Sequence, residues 1–317
     1  MKLLLVPLLL ASHLWADVIY ETDFDDFATG ANQWSANASW TSNDTTSGAQ
    51  SIDEDVLPAL LKTASLGFVR PARDVTFVAL DLGYDHIASG APVVEIDTLI
   101  GIEDSTNNRR DDFFISIYNS GGNRLASIRF DNEDPNSLNS QFGIWWENGT
   151  NQFDTLVDFI PSELFNLFAT IDLESNTWSA DIEGIPLFTD EQFTNTNNPL
   201  DFGFLAFEWD LTANATSLYG DNFLLVADVI VQSVIEIPEL EVTHSFDPSG
   251  NVTLNWETAV GWGDQVQYST DLNIWLDDLP DSAFDNVTNS SPVTFTDESE
   301  EKGPLRFYRV KRTQASS

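Results

Sequence analysis

Two adjacent tryptophans, Trp145 and Trp146, end an apolar run and are followed by Glu147 and Asn148. An aromatic ring can stack on the face of a sugar, and carboxylates and amides can hold the sugar hydroxyls. Adjacent residues of a strand point to opposite faces, so one tryptophan would lie in a core and the other would be exposed. We therefore predict a glycan-binding site at Trp145, Trp146 and Asn148.

Trp209 is a second candidate platform, because it stands between the carboxylates of Glu208 and Asp210. Trp178 and Trp256 stand inside predicted strands, and we expect both of them in cores. Plain packing is the alternative for each of these tryptophans, since large aromatic residues are highly buried on average. The tryptophans thus predict a carbohydrate ligand, with core packing as the competing interpretation.

The chain of 317 residues is strongly acidic, with 51 Asp and Glu residues against 13 Lys and Arg and a net charge of −38. No Lys or Arg occurs between Asp131 and Glu301, so few ion pairs can relieve the repulsion. Such a surface repels nucleic acid and anionic lipid, and we expect no nucleic-acid partner. A saline, calcium-containing exterior would suit the charge; the alternative is that the charge serves solubility alone.

Residues 1–16 predict an export signal peptide. Lys2 supplies the positive charge, Leu3–Leu10 supply the apolar run, and Ala16 is the small residue after which we expect cleavage. No later segment approaches the ~20 apolar residues of a spanning helix, so we expect no membrane insertion. The signal predicts a secreted or extracellular protein, or one of the periplasm or the cell surface.

The sequence contains no cysteine, which excludes disulfides, thiolate nucleophiles and cysteine-bound zinc. After removal of the signal, the remaining histidines are His86 and His244, and no serine stands in a Gly-x-Ser-x-Gly turn. We therefore expect neither a nucleophilic triad nor a histidine-ligated metal.

Short apolar or alternating runs, separated by clusters of Asn, Asp, Gly and Ser, predict an all-β chain. Leu57–Thr63 and Pro161–Phe168 are predicted to be short helices. An acidic break at Pro238 predicts two domains, residues 17–235 and residues 236–317. We predict strands at Val75–Leu82, Phe113–Tyr118, Leu125–Phe130, Leu167–Leu173, Trp178–Ile182, Phe202–Phe207, Phe223–Val231, Leu240–Phe246, Val252–Glu257, Gln265–Ser269, Val293–Thr296 and Phe307–Lys311.

Three segments of the tail carry a family resemblance. Val252–Trp256 looks like a second strand with its core tryptophan, Gln267–Trp275 like a tyrosine-to-tryptophan segment, and Phe307–Val310 like a closing strand. In these segments the tail resembles the fibronectin type III and immunoglobulin-like modules of bacterial secreted proteins, which implies a small β-sandwich. Little chain follows Arg312, so the last strand of that family has no clear counterpart here.

Three segments of the larger part carry a second resemblance, namely Tyr20–Phe27, Ile171–Gly184 and Gly220–Val229. They resemble the opening edge strand, a hairpin ending in glycine, and the closing strand of concanavalin A-like and laminin G-like jelly-roll domains. The resemblance implies a jelly-roll β-sandwich. Because this architecture hosts carbohydrate-binding modules, polysaccharide hydrolases and plain spacers, it implies no single function.

The jelly-roll resemblance also implies a structural calcium ion. Asp23 and Asp25 alternate along the predicted first strand, and the first and last strands of jelly rolls lie near each other. This would bring the two carboxylates towards Asp221 and Asn222, and calcium takes roughly six to eight oxygen ligands. The alternative is a solvated acidic edge that discourages aggregation of the sheet.

The retaining glycosidases of this architecture place two carboxylates on one strand, as Glu-x-Asp-x-x-Glu or Glu-x-Asp-x-Glu. The nearest match here is Glu95–Asp97, but Leu99 and Ile100 occupy the positions of the required acid. Acidic pairs such as Glu208 and Asp210 arise by chance in so acidic a chain. We therefore name no catalytic residue, and an enzyme is the second hypothesis rather than the first.

The sequence thus predicts an all-β protein, a jelly-roll β-sandwich followed by a smaller fibronectin-like or immunoglobulin-like β-sandwich. The leading hypothesis is a secreted, non-catalytic protein that binds extracellular polysaccharide or cell-surface glycan in adhesion or scaffolding. An extracellular polysaccharide-active enzyme, either a glycoside hydrolase or a lyase, is the first alternative. A structural matrix or envelope protein without a ligand is the second.

Overall fold

The structure of the chain is a computed structural model. The chain divides into two compact units, the large unit of Trp15–Ile235 and a small unit whose described part begins at Leu240. Within the described residues, no helix has the length and apolar character that crossing a membrane requires. The structure describes residues 15–54, 56, 62–107, 110–132, 142–211, 221–235, 240–247, 251–259, 262–270, 274, 276, 279, 281–284, 292–297 and 306–314.

The large unit consists of short strands joined by turns, with one short helix, α1 (His86–Ser89), and a 3-10 turn at Trp34–Ala36 among its described residues. In chain order the strands are β1 (Trp15–Thr22), β2 (Gly30–Ala31), β3 (Trp40–Ser42), β4 (Gln50–Glu54), β5 (Lys62–Gly67), β6 (Val75–Tyr84), β7 (Val93–Glu103), β8 (Asp112–Tyr118), β9 (Arg124–Asp131), β10 (Gly143–Asn148), β11 (Asn151–Asp158), β12 (Leu164–Asp172), β13 (Thr177–Ile182), β14 (Ile185–Gln192), β15 (Phe202–Asp210), β16 (Phe223–Val226) and β17 (Val229–Ile235).

These strands form two antiparallel sheets. The first has ten strands in the order β14-β13-β12-β7-β16-β5-β4-β2, and β17 pairs with both β7 and β1. The long strand β7 allows this branching, because Val93–Asp97 pair with β17 and Ile100–Glu103 pair with β16. The second sheet has seven strands in the order β11-β10-β9-β8-β15-β6-β3.

The two sheets pack face to face around one hydrophobic core, which makes the large unit a jelly-roll β-sandwich. Alternation along each strand supplies the core side chains. In β7, for example, Val94, Ile96, Ile100 and Ile102 are buried. Each such large apolar side chain contributes about 1.5–3 kcal/mol when it is fully removed from water. The core therefore fixes which face of each strand remains for other contacts.

The predicted strands of the large unit are present in the structure, with one difference. The predicted strand Phe223–Val231 is two strands, β16 and β17. Between them, the Asp228 carboxylate accepts a hydrogen bond from the Leu99 N–H at 2.7 Å, and the Asp228 carbonyl accepts one from the Thr98 hydroxyl at 2.6 Å. These bonds fix the chain at the point where its pairing with β7 passes from β16 to β17.

The predicted helix at Pro161–Phe168 is wrong, because β12 begins at Leu164. Phe165 and Leu167 are buried and alternate with more exposed residues, so a period of two prevails over the helix-starting residues at Pro161. Most of the other predicted helix, residues 57–61, lies outside the described residues. Its last two residues, Lys62 and Thr63, belong to β5, so the helix does not reach its predicted end.

The small unit contains two sheets of three strands among its described residues. Their strands are β18 (Thr243–Phe246), β19 (Val252–Glu257) and β22 (Pro292–Asp297) in one sheet, and β20 (Trp262–Ser269), β21 (Ala283–Phe284) and β23 (Phe307–Gln314) in the other. Trp256 is buried, as predicted, and its Nε1 donates to Asp264 Oδ2 at 2.9 Å. The likeness to a fibronectin type III module stays a prediction.

The predicted signal peptide lies mostly in residues 1–14, outside the described residues. Its last two residues, Trp15 and Ala16, belong to β1 and pair with Ile235 and Val234 of β17. Cleavage after Ala16 stays a prediction, and it would leave the paired segment of β1 from Asp17 onwards in place.

Candidate functional site

The seven-stranded sheet turns one face to the core and the other face away from it. In β15, Leu205, Phe207 and Trp209 lie in the core, so the alternating residues Ala206 and Glu208 lie on the opposite side. We call this second side the outer face. In the four strands β10, β9, β8 and β15 it includes Trp145, Glu147, Arg124, Ser127, Arg129, Phe114, Ser116, Tyr118, Ala206 and Glu208.

Glu208 is a carboxyl group buried on this outer face, with a residue exposure of 5%. The Tyr118 hydroxyl donates a hydrogen bond to Glu208 Oε1 at 2.8 Å. Burial raises the pKa of Glu208 above its ordinary value, and repulsion from Glu147 adds to this, although Tyr118, Ser116 and Arg124 act in the opposite direction. Glu208 therefore keeps its proton to a higher pH than an exposed glutamate.

Glu147 is bound by an arginine and a serine of the neighbouring strand β9. Arg124 Nη2 donates to Glu147 Oε2 at 2.8 Å, and the Ser127 hydroxyl donates to the same oxygen at 3.0 Å. The guanidinium carbon of Arg124 also lies 5.9 Å from the ring centroid of Phe114. These charge-assisted hydrogen bonds fix the position of the Glu147 carboxylate over β9.

Strand register brings the two glutamates towards each other. Ser127 of β9 lies directly opposite Ser116 of β8. Glu147 reaches from β10 across to Ser127, and Glu208 reaches from β15 across to Tyr118 of β8. Each carboxyl group thus lies over the strand next to its own, and these two strands are neighbours in the sheet. A pair of carboxyl groups from distant parts of the sequence therefore converges on the middle of the outer face.

A second charged cluster lies further along the same face. Arg129 Nη2 lies 2.6 Å from Asp112 Oδ2 and 3.2 Å from Asp131 Oδ2. Burial raises the pKa of Asp112 to about 7, because the attraction of Arg129 does not offset it and Asp131 adds repulsion. The only cation of this cluster is thus shared between two carboxyl groups, and the outer face carries no surplus of positive charge there.

The structure separates the two adjacent tryptophans of the predicted glycan site. Trp146 is in the core at 6% exposure, with its ring stacked on Phe153 at 4.1 Å and packed against Phe188 at 5.1 Å. Trp145 is half-buried on the outer face, where it lies opposite Arg129 of β9 and Asp154 of β11. Of this pair, Trp145 has the position that a glycan could reach.

The other two predicted glycan-binding residues are buried. Trp209 is 0% exposed, because alternation along β15 turns it inwards, and its Nε1 donates to Asp111 Oδ2 at 3.1 Å. Asn148 is 3% exposed, and its Nδ2 donates to the Gln192 carbonyl at 3.1 Å. The prediction that Trp209 and Asn148 contact a glycan is therefore wrong: Trp209 packs the core, and Asn148 ties β10 to the end of β14.

Asp23 and Asp25 do not alternate along a strand as predicted, because β1 ends at Thr22. They lie in the following turn, where the Asp25 N–H donates to Asp23 Oδ1 at 3.1 Å. Lys62 Nζ donates to the Asp25 carbonyl at 2.6 Å, so an ammonium group already binds this turn. The turn therefore lies beside the beginning of β5.

Asp221 and Asn222 lie near the other end of β5. The residue after them, Phe223, pairs with Gly67, the last residue of β5. The Asp221 carboxylate accepts hydrogen bonds from the segment 105–107, and Asn222 Nδ2 donates to the Asp111 carbonyl at 3.2 Å. The structure thus does not assemble the predicted four-residue calcium site. In the part of the chain that it describes, no group of three or more Asp, Glu or His side chains could hold a metal ion.

No family model matches this chain, and no curated protein does. Several solved structures are similar to it. The winged bean acidic lectin bound to methyl-α-D-galactose covers 71% of this chain and 100% of its own, at 10% identity and a TM-score of 0.43. The GH131 β-glucanase catalytic domain of Podospora anserina covers 68% of this chain and 96% of its own, at 10% identity and a TM-score of 0.45. The Emp47p carbohydrate recognition domain covers 69% of this chain and 96% of its own, at 10% identity and a TM-score of 0.44.

A sialidase is also similar over 65% of this chain, which spans 18% of the sialidase's length, at 7% identity and a TM-score of 0.40. At such low identities, these similarities concern the β-sandwich fold alone.

Sequence reasoning did not find the charged residues of β8 and β9 that complete the outer face. A signal for them is present in the sequence. In β9, Ser127, Arg129 and Asp131 alternate with the buried Ala126, Ile128 and Phe130. Polar and charged residues at alternate positions of a strand whose other residues are apolar indicate a polar face, but the pattern does not identify their neighbours on β8, which the strand register fixes.

Proposed function

We propose that the large unit binds an extracellular polysaccharide or a cell-surface glycan on its outer face, as part of a secreted adhesion or scaffolding protein. The observation that carries the proposal is the arrangement around Trp145. Its half-buried indole lies on the same face as the Arg124–Glu147 ion pair and the carboxyl group of Glu208. An aromatic surface beside such fixed donors and acceptors is the chemistry that a sugar requires.

The charges of the outer face favour a neutral glycan. Arg124 is bound to Glu147, and Arg129 is bound to Asp112 and Asp131. With both guanidinium groups already neutralised on a chain of net charge −38, a sulfated or uronic-acid polymer would be repelled. We therefore propose hexose polymers or neutral oligosaccharide ends as the ligand class.

The experiment is a binding measurement of the full chain against neutral and anionic polysaccharides by isothermal titration calorimetry. Trp145→Ala should reduce the affinity for a neutral glycan by roughly tenfold or more, equivalent to ~1.4 kcal/mol. Phe68→Ala is the matched control, because Phe68 is another accessible aromatic residue, 55% exposed, that follows β5 of the other sheet. Equal affinities of the two variants, or a preference for anionic polymers, would contradict the proposal.

A further inference from the structure

We infer that Glu208 and Glu147 form a general acid and general base pair with which the outer face hydrolyses a glycosidic bond. The inference rests on the proposed binding of a glycan to this face and adds a reaction to it. It also departs from the non-catalytic role that the sequence predicts. The motif of the retaining glycosidases has both carboxylates on one strand, whereas here one belongs to β10 and the other to β15.

The separation of the two carboxyl groups fits this chemistry. Ser116 and Ser127 lie directly opposite each other, and the Cβ atoms of such a pair are about 5 Å apart. Glu147 is bound to Ser127, and the Glu208 carboxyl group lies beside Ser116. The two carboxyl groups are therefore on the order of 5–9 Å apart, which overlaps the ~6.5–9.5 Å found in glycosidases whose second carboxylate activates water.

The surroundings assign the acid role to Glu208. It is buried, and the groups that act on its ionisation are Tyr118 and Ser116 of β8, Arg124 of β9 and Glu147 of β10. Oε1 accepts the Tyr118 hydrogen bond, and in the inferred reaction Oε2 transfers the proton. Tyr118 is thus a positioning residue, which holds Oε1 of Glu208 by its hydrogen bond.

Glu147 has the complementary role. Its carboxylate is held by Arg124 and Ser127, both of which bind Oε2. The other oxygen, Oε1, is left to accept a proton from water. A buried carboxyl group with a raised pKa, beside a second carboxyl group that is held in a fixed position, is the arrangement that acid and base catalysis of glycoside hydrolysis requires.

The reaction balances with water as the only co-reactant. Glu208 Oε2 transfers its proton to the glycosidic oxygen while the bond from that oxygen to the anomeric carbon breaks. A water molecule attacks the anomeric carbon and passes one proton to Glu147. The products are two free sugar ends, and solvent returns the proton from Glu147 to Glu208.

Trp145 extends the substrate beyond the bond that is cleaved. It shares a row of the sheet with Glu208, because Trp145 pairs with Arg129, Arg129 with Phe114, and Phe114 with Glu208. Three strand spacings separate the two residues, about 14 Å along the sheet. A glycan that reaches from Trp145 to Glu208 therefore spans more than one sugar, and the substrate is an oligosaccharide or a polymer.

The test measures release of reducing ends and binding on the same samples of the full chain, with soluble neutral β-glucan, galactomannan and arabinan as probes. Glu208→Gln and Glu147→Gln should each slow release by about 10²–10⁴-fold, while binding of the probes remains measurable. Glu191→Gln, which removes an exposed glutamate of β14, is the matched control and should leave both quantities unchanged. Circular dichroism checks that each variant is folded.

The pH profile of the release rate separates the two roles. The alkaline limb should report Glu208, and Tyr118→Phe should move it to higher pH, because the Tyr118 hydrogen bond lowers the pKa of Glu208. Release that is undiminished in Glu208→Gln overturns the inference. Trp145-dependent binding without release also overturns it but leaves the proposed function standing. If none of the probes binds, both the proposed function and this inference fail.

Discussion

Trp146→Ala should be the most destabilising of the tryptophan substitutions in β10. The side chain is 6% exposed, and its ring contacts those of Phe153, Phe188 and Trp178 at centroid distances of 4.1, 5.1 and 6.1 Å. Burying ~200 Å² at ~25 cal/mol per Å² corresponds to about 5 kcal/mol, and truncations of this kind cost about 3–5 kcal/mol. Trp145→Ala removes a half-buried ring and should cost about 1–2 kcal/mol.

The measurement is urea unfolding of the full chain, followed by circular dichroism. The loss in Trp146→Ala is a large fraction of the ~5–15 kcal/mol that holds a typical domain together. The transition of the small unit serves as the internal control, since neither substitution lies in it. Equal losses in the two variants would refute the assignment of Trp146 to the core and Trp145 to the outer face, and with it the position of the glycan site.

Three further substitutions test other parts of the large unit. Asp112→Asn should flatten the pH dependence of the stability of the large unit. The pKa of Asp112 is raised from 3.8 to about 7, so the stability that its protonation contributes is complete below about pH 4 and is lost as the pH rises through about 7. Urea midpoints that fall equally steeply in both proteins would contradict this. Asp221→Ala should lower the free energy of unfolding by about 1 kcal/mol, because the Asp221 carboxylate accepts hydrogen bonds from the Thr106 and Asn107 N–H groups. An equal loss of melting temperature in calcium and in magnesium would indicate a structural role for Asp221. A loss specific to calcium would support a bound calcium ion. Gly203→Ala should cost roughly 1–3 kcal/mol, because a Cβ would lie 2.5 Å from main-chain atoms of the β8–β9 turn, and an unchanged melting curve would argue against that close approach.

The strands could be predicted because alternation is a local property of the sequence. The errors arose where a local signal competed with a distant contact. Pro161 suits the first turn of a helix, but pairing of β12 with β7 and burial of Phe165 and Leu167 prevail over it. The helix α1 was missed although its signals are local: the Asp85 carboxylate accepts the Ile87 and Ala88 N–H groups at the helix start.

The candidate site could be predicted only in part. The alternation rule places Trp145 and Trp146 on opposite faces, but it cannot say which of them faces the core. The same rule places Trp209 and Glu208 on opposite faces of β15. A glycan-binding site that combines Trp209 with the adjacent Glu208 and Asp210 therefore conflicts with the alternation of the strand. Pairing of Glu147 with Glu208 depends on the order of β10, β9, β8 and β15 in the sheet, and no single segment of sequence contains that order.

The pairing of β1 with β17 sets the time at which the large unit can finish folding. Asp17 and Ser233 are hydrogen-bonded partners 216 residues apart. At the ~5–20 residues per second of protein synthesis, the second partner is made roughly 10–40 s after the first. During that interval β1 is an unpaired strand, and the entropy of closing so long a loop must be met before the contact forms. The export that residues 1–16 predict would gain from this delay, because an exported chain passes unfolded through a channel and its first strand cannot be locked into the sheet until the last strand has been made.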